Sequence, residues 1–191
     1  MNKIPTRAEA WELLREFNQN EALLHHGLAV EGVMRHFAAL EGEDVEKWGV
    51  VGLLHDLDYE KYPAEHCTKA AEILTERGVD PSVIHAVCSH GWGICCDVEP
   101  TEKMEKILYT IDELTGLVNA TCLMRPSHSV LDLEVKSLKK KFKANGFAAG
   151  VNREVILKGC ELLGMSLDDC MRETIAGMQE CAEAIGLKGE L

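Results

Sequence analysis

The sequence predicts an all-α protein of about nine or ten helices. Apolar residues recur at three- and four-residue spacing through most of the chain. No stretch alternates apolar and polar residues over the length of a strand. Helix-capping Thr, Asn, Asp and Ser residues, and terminating glycines, punctuate the apolar pattern at helical intervals. The 191 residues are 46% hydrophobic and 27% charged, enough for one domain with a real core. No composition shift, long linker, low-complexity stretch or internal repeat divides it.

In order, Thr6 caps a first helix with Ala10, Leu13, Leu14 and Phe17 on its buried face. Asn20 caps the second, where Leu23, His26, Val30, Val33 and Phe37 share a stripe, and Gly42 closes it. His26 thus points inward. His25 lies about 100° round the helix and flanks that face. Asp44 begins a third helix through Trp48, Val51 and Leu54 that ends near Asp56 to Asp58, and Tyr59 to Pro63 is a loop. After His66 a helix restarts with Ala70, Ala71, Ile73 and Leu74, and Gly78 ends it. Asp80 caps the next helix with Pro81 at its first position; it carries Val83, Ile84, Val87 and His90 and stops at Gly91. A loop to Pro100 follows. Thr101 then caps a long helix with Glu105 at capping-box distance and Ile107, Leu108, Ile111, Leu114 and Val118 buried, ending at or just before Pro126. Leu131, Val135, Leu138 and Phe142 define a helix that Asn145-Gly146 breaks. Asn152 caps Val155 to Leu163, Gly164 stops that helix, and Ser166 opens the last, ending near Gly186.

A net charge of −12 argues against extended nucleic-acid or anionic-lipid binding. The local exception is a basic cluster, Lys136, Lys139, Lys140, Lys141 and Lys143, which an anionic small molecule can use. No apolar run approaches the ~20 residues of a membrane span, and Met1 to Asn20 lacks a signal-peptide core. A cytoplasmic location is the expectation. The eight cysteines, at 67, 88, 95, 96, 122, 160, 170 and 181, are then expected as reduced thiols. Cys95-Cys96 is the only close pair, and without a Cys-x-x-Cys motif a cysteine-rich zinc site has no support.

Chemistry centres on the stretch from Val50 to Glu60. An apolar run delivers His55 and Asp56 side by side, followed by Asp58 and Glu60. Burying an imidazole and a carboxylate at the end of an apolar segment is costly unless something compensates. A divalent metal does so, since His and Asp both ligate first-row metals and Asp can bridge two. Separated positions offer further inward-facing ligands: His26, and Asp112 within an otherwise apolar helix, with His66 and His90 between the His55-Asp56 pair and Asp112 in the chain. These six suffice for one cation or for two bridged by Asp56. Asp58, Tyr59 and Glu60 orient the ligands, ligate through a water, or cap the turn. His36, His85 and His128 are expected outside the site.

The order His, His-Asp, Asp resembles the HD superfamily of all-helical metal-dependent phosphohydrolases. The matching segments are His26-Gly27-Leu28-Ala29-Val30, Leu53-Leu54-His55-Asp56 and Ile111-Asp112-Glu113-Leu114. The segment from His66 to Leu74 is similar to the second-metal histidine segment of the two-metal members, and His90 resembles their next metal histidine. The Gly-Tyr-Pro signature of the cyclic-dinucleotide phosphodiesterases is absent after His90, and Tyr62-Pro63 lies ahead of His66 instead. The run His55 to Glu60 and the tail from Val135 to Glu154 look like a small group of predicted bacterial HD hydrolases.

This resemblance implies a single HD-type helical bundle over residues 1–191, with an HD core at about 20–125 and a C-terminal helical extension at 126–191. It implies one or two divalent cations (Mn, Fe, Mg or Zn) held by His26, His55, Asp56, His66, His90 and Asp112. The activity implied is hydrolysis of a phosphomonoester or phosphodiester of a small, nucleotide-like substrate by metal-activated water. Asp56, His66 and His90 are the catalytic candidates, and Lys136, Lys139 or Arg125 would hold the phosphate. The competing readings are a metal- or nucleotide-binding regulatory module without turnover, a purely structural adaptor, and di-iron oxygenase chemistry.

Overall fold

The computed structural model describes residues 2–144 and 146–189, and among them it contains nine α-helices, one turn of 3-10 helix and no strand. The helices are α1 (Arg7–Phe17), α2 (Glu21–Glu41), α3 (Val45–Leu54), α4 (Thr68–Glu76), α5 (Pro81–Ser89), α6 (Lys103–Leu123), α7 (Val135–Phe142), α8 (Arg153–Leu163) and α9 (Leu167–Glu180). The all-helical expectation holds.

The caps behave as their chemistry requires. Thr6 and Glu9 form a reciprocal capping box, and Asn20, Asp44, Asp80, Asn152 and Ser166 each accept from a backbone N–H in the first turn of the helix they precede. Gly42 and Gly164 close α2 and α8 in the left-handed conformation, at φ 70° and 64°. Four boundaries differ from expectation. The regular part of α3 stops at Leu54, and turns carry the chain on through Asp58. The cap of α6 is Glu102 rather than Thr101, because the Glu105 carboxylate accepts the N–H groups of both (2.7 and 3.0 Å). Helix α7 starts at Val135, since the chain ahead of it is tied down instead: Val130 N–H donates to Leu187 O (2.8 Å). Helix α9 ends at Glu180, and a further turn leads to Gly186 at φ 70°. Of the break expected at Asn145-Gly146, Gly146 has φ 84° and Asn145 lies outside the described residues.

The two longest helices, α2 and α6, pack against each other and frame the core. Helix α2 buries Val30, Val33, Met34 and Phe37, α3 buries Val51, Leu53 and Leu54, and α6 buries Ile107, Leu108, Ile111, Leu114, Leu117 and Val118. Each such side chain contributes about 1.5–3 kcal/mol relative to exposure. The α4–α5 pair covers one side through Leu74, Val83 and Val87, while Leu138, Ile156, Met171 and Ile175 from α7, α8 and α9 close the other.

Two features fix α2 for its role. At Gly52 a Cβ would lie 2.9 Å from both Val30 O and Met34 Cγ, so α3 approaches α2 to backbone distance only because that position is glycine. That approach brings the end of α3 against the first turns of α2. On the far face, His36 is held between Glu173 (2.8 Å) and Glu180 (2.7 Å) of α9, which ties the C-terminal helices to α2.

Candidate metal centre

The same local device orients two of the imidazoles. His55 and His90 each follow the last residue of a helix with αR backbone angles, and each ring's Nδ1 reaches back to the carbonyl three residues earlier: Gly52 O at 2.7 Å and Val87 O at 2.5 Å. Such carbonyls lack an intrahelical partner at a helix C-terminus. A carbonyl only accepts, so Nδ1 carries the hydrogen and the neutral ring presents a bare Nε2 on its other side. His66 is set by a carboxylate instead. Asp58, fully buried, accepts from His66 Nδ1 (2.6 Å) with one oxygen and from Ala70 N–H (2.9 Å) with the other, so it both aims the ring and caps the start of α4. Asp58 thus orients His66, one of the roles the sequence left open, and its cap falls on α4 rather than on its own turn.

These Nε2 atoms and two carboxylates converge. His26 Nε2 lies 3.1 Å from His55 Nε2, 2.9 Å from Asp112 Oδ1 and 3.6 Å from Asp56 Oδ2. His55 Nε2 is 3.3 Å from both of those oxygens. On the other side of Asp56, its Oδ1 lies 3.3 Å from His66 Nε2 and 3.5 Å from His90 Nε2, and those two nitrogens are 3.0 Å apart. Ligands at ~2.1 Å from a shared cation are separated by about 3.0–3.4 Å in octahedral or tetrahedral arrangements. The two nests of atoms fit that spacing, and Asp56 gives one oxygen to each. Ring nitrogens and carboxylate oxygens this close repel one another unless a proton or a cation lies between them, so the donor set calls for positive charge.

The electrostatics agree. Burial disfavours the imidazolium of His55, but Asp56 and Asp112 outweigh it and push its pKa well up. Burial also opposes the charged forms of Asp56 and Asp112, yet His55 and the other histidines hold both carboxyls well below their ordinary range. The His66 pKa is raised as well, with Asp58 overcoming burial. A centre that keeps its carboxylates ionised and draws protons onto His55 and His66 can exchange those protons for a cation.

All six predicted ligands are therefore brought together. Lys136 and Lys139 are not among them: Lys136 is exposed on α7, and Lys139 pairs with Asp168 of α9 at 2.6 Å. Arg125 is committed to Asp132 (2.7 Å). Glu60 accepts from the N–H groups of Gln19 and Asn20, and Tyr59 stands edge-on to His66 with ring centres 5.1 Å apart. His85, set aside in the sequence, pairs with Glu105, away from the centre (2.6 Å). Beside Asp112, burial and that carboxylate's charge push the Glu113 carboxyl up to about 7, while Asn152 N–H donates to it (2.9 Å). The sequence carried no sign of this beyond adjacency.

The centre opens at one edge, where His26, Asp112 and Asp56 keep side-chain exposures of 23%, 21% and 17%. There a cavity of about 220 Å³ abuts His26, lined also by His25, Thr115, Asn119 and Leu123. A larger depression, about 870 Å³, lies against α1 and includes none of the six residues, so the chemistry is not there.

Residues 23–116 match the HD domain family. No solved structure matches the chain. All six converging residues fall inside the matched segment, whereas Lys136 and Lys139 fall beyond it. The helical fold, the His and His-Asp segments meeting Asp112 across α2, α3 and α6, and the family match have one reading: the chain belongs to the HD superfamily.

Proposed function

We propose that this protein is a metal-dependent phosphohydrolase acting on a small phosphorylated substrate at a two-cation centre. The observation that supports it most directly is the division of Asp56 between two nests of ligand atoms. His26, His55, Asp56 and Asp112 would hold one cation, and Asp56, His66 and His90 a second. A divalent cation there supplies Lewis acidity and lowers the pKa of water toward ~7, which is what phosphate-ester hydrolysis at neutral pH requires.

The chain's own contribution is positional. Gly52 O, Val87 O and Asp58 keep the Nδ1 hydrogens of His55, His90 and His66 pointed away from the centre. With Nε2 of His66 and His90 committed as ligands and their Nδ1 hydrogens held by Asp58 and Val87 O, neither has a proton facing the leaving group, so solvent at the open edge protonates it. The substrate's phosphate enters at that edge beside His26, and the adjoining cavity takes a compact organic group against Thr115, Asn119 and Leu123. Lys136 and Lys139 make no hydrogen bond to the centre. In this reading Lys136, exposed and outside the Lys139–Asp168 pair, draws an anionic substrate toward an otherwise acidic molecule.

The test is a panel of phosphomonoesters and phosphodiesters with Mn, Mg, Fe and Zn, run on the native chain and on Asp56→Ala and Asp112→Ala. Turnover with at least one metal, lost in both variants, is the expected result. No turnover with any metal, together with a co-purifying small molecule, would replace this reading with a regulatory one.

A further inference from the structure

The fold gathers cysteines that the sequence scatters. Sγ atoms of Cys67, Cys95 and Cys96 all lie within 4.8 Å of one another, and those of Cys67 and Cys95 are 3.1 Å apart. Three features build this arrangement. Cys67 adopts φ 68° and ψ −43°, a strained conformation for a residue with a side chain, and such strain collects at functional positions. The turn after α5 winds tightly, with the N–H groups of Ile94, Cys95 and Cys96 all directed at Gly91 O (3.0, 3.0 and 3.2 Å), which swings Cys95 back over Cys67. A Cβ at position 91 would collide with both sulfurs, so glycine there is what lets the thiols meet.

We propose that Cys67 and Cys95 are a redox-active dithiol that closes to an intramolecular disulfide on exchange with a low-molecular-weight disulfide. Cys95 is exposed and Cys67 is only 1% exposed, so the reagent meets Cys95 first. The Cys95 sulfur attacks one sulfur of the small disulfide, whose S–S bond breaks. One small thiol leaves with the proton from Cys95, and a mixed disulfide remains. The Cys67 sulfur then attacks the Cys95 sulfur, and the second small thiol leaves with the proton from Cys67. Two electrons pass from the protein pair to the reagent.

Alternative uses of the cluster fit less well. Two sulfurs ~2.3 Å from a tetrahedral zinc stand about 3.7 Å apart. The Cys67–Cys95 separation of 3.1 Å is shorter than that and falls within the ~3–3.5 Å of a near-attack contact. Cys95 and Cys96 are neighbours in sequence, with Cα atoms ~3.8 Å apart, below the ~4.4 Å at which ordinary disulfides begin. The Cys96 thiol is occupied besides, donating to Cys88 O at 3.1 Å. Cys67 directly follows His66, and Cys95 lies in the turn after His90. Closing the pair staples together the two segments that carry the second set of imidazoles.

The experiment equilibrates the full chain in graded mixtures of reduced and oxidised glutathione, with and without EDTA, then alkylates free thiols and maps the peptides by mass. The expected product has lost two of its eight alkylatable thiols and yields a crosslinked peptide joining Cys67 to Cys95. Cys96→Ser keeps the crosslink. Cys67→Ser and Cys95→Ser lose it, and unchanged helical circular dichroism of the surface variant Cys95→Ser separates lost chemistry from lost folding. Arrest at a glutathione adduct, a crosslink between other cysteines, or three thiols that become alkylatable only after EDTA would each overturn the proposal. None of these readouts depends on phosphatase activity.

Discussion

Replacing Asp58 by Asn changes no volume and removes one acceptor. The native carboxylate is fully buried and serves two donors, His66 Nδ1 at 2.6 Å and Ala70 N–H at 2.9 Å. An amide has one oxygen for those two hydrogens, and its NH2 must face one of them. If it faces His66, the ring hydrogen moves to Nε2, the atom that should face the second cation. If it faces Ala70, α4 loses its cap. A hydrogen bond involving a charged group is worth about 1.5–3 kcal/mol, and removing the partner of a metal-binding imidazole weakens metal affinity by roughly 10–100-fold. Asp58→Asn should therefore lose affinity by that factor at the second position only, because His26, His55 and Asp112 make no contact with Asp58. Competition against a chromogenic chelator should resolve two steps in the native chain, and only one of them should be displaced in Asp58→Asn. Thermal unfolding should fall by a few degrees at the ~2–4 °C per kcal/mol of a chain this size. Wild-type affinity at both steps, or an equal loss at both, would refute the assignment of Asp58 to His66.

Gly52→Ala puts a Cβ 2.9 Å from Val30 O, a backbone atom, and should cost about 1–3 kcal/mol while separating His26 from His55. Lower unfolding temperature together with weaker metal binding at the first position is the expected pair of results. His36 lies between Glu173 and Glu180; burial opposes its charge, and the two glutamates overcome this and raise its pKa. A raised folded-state value means that its contribution is complete below the ordinary histidine pKa of ~6.5 and fades as pH rises through the folded value. Stability should thus decline from pH 6 toward pH 8 more steeply in the native chain than in Glu173→Gln/Glu180→Gln, as followed by urea unfolding. Lys136→Ala should lower kcat/KM at low salt with kcat unchanged, and the difference should vanish near 0.5 M salt, where charges are screened beyond ~4 Å.

The helices were legible because each begins and ends with residues whose local chemistry decides the matter, such as Thr6 with Glu9, Asp80 with Pro81, and Gly42. The converging residues were legible because imidazoles and acids on apolar faces are rare enough to stand out, as with His26 on the α2 stripe and Asp112 inside α6. What escaped was pairing at a distance. Nothing near Cys67 announces Cys95, and His36 shows no sign of α9, because those contacts exist only once α4 has packed on α5 and α2 on α9. The end of α9 differs from expectation for a related reason: apolar residues continue to Leu187, but they serve a separate turn, after which Leu187 O accepts from Val130 N–H. Lys139 looked free for a substrate because Asp168, its partner, is 29 positions away.

The most direct test is the number of cations bound per chain, measured by elemental analysis and located by anomalous scattering. Two cations, one between His26, His55 and Asp112 and one between His66 and His90, with Asp56 common to both, is the predicted result. A chain that binds none after exposure to Mn, Fe, Mg and Zn would contradict the account.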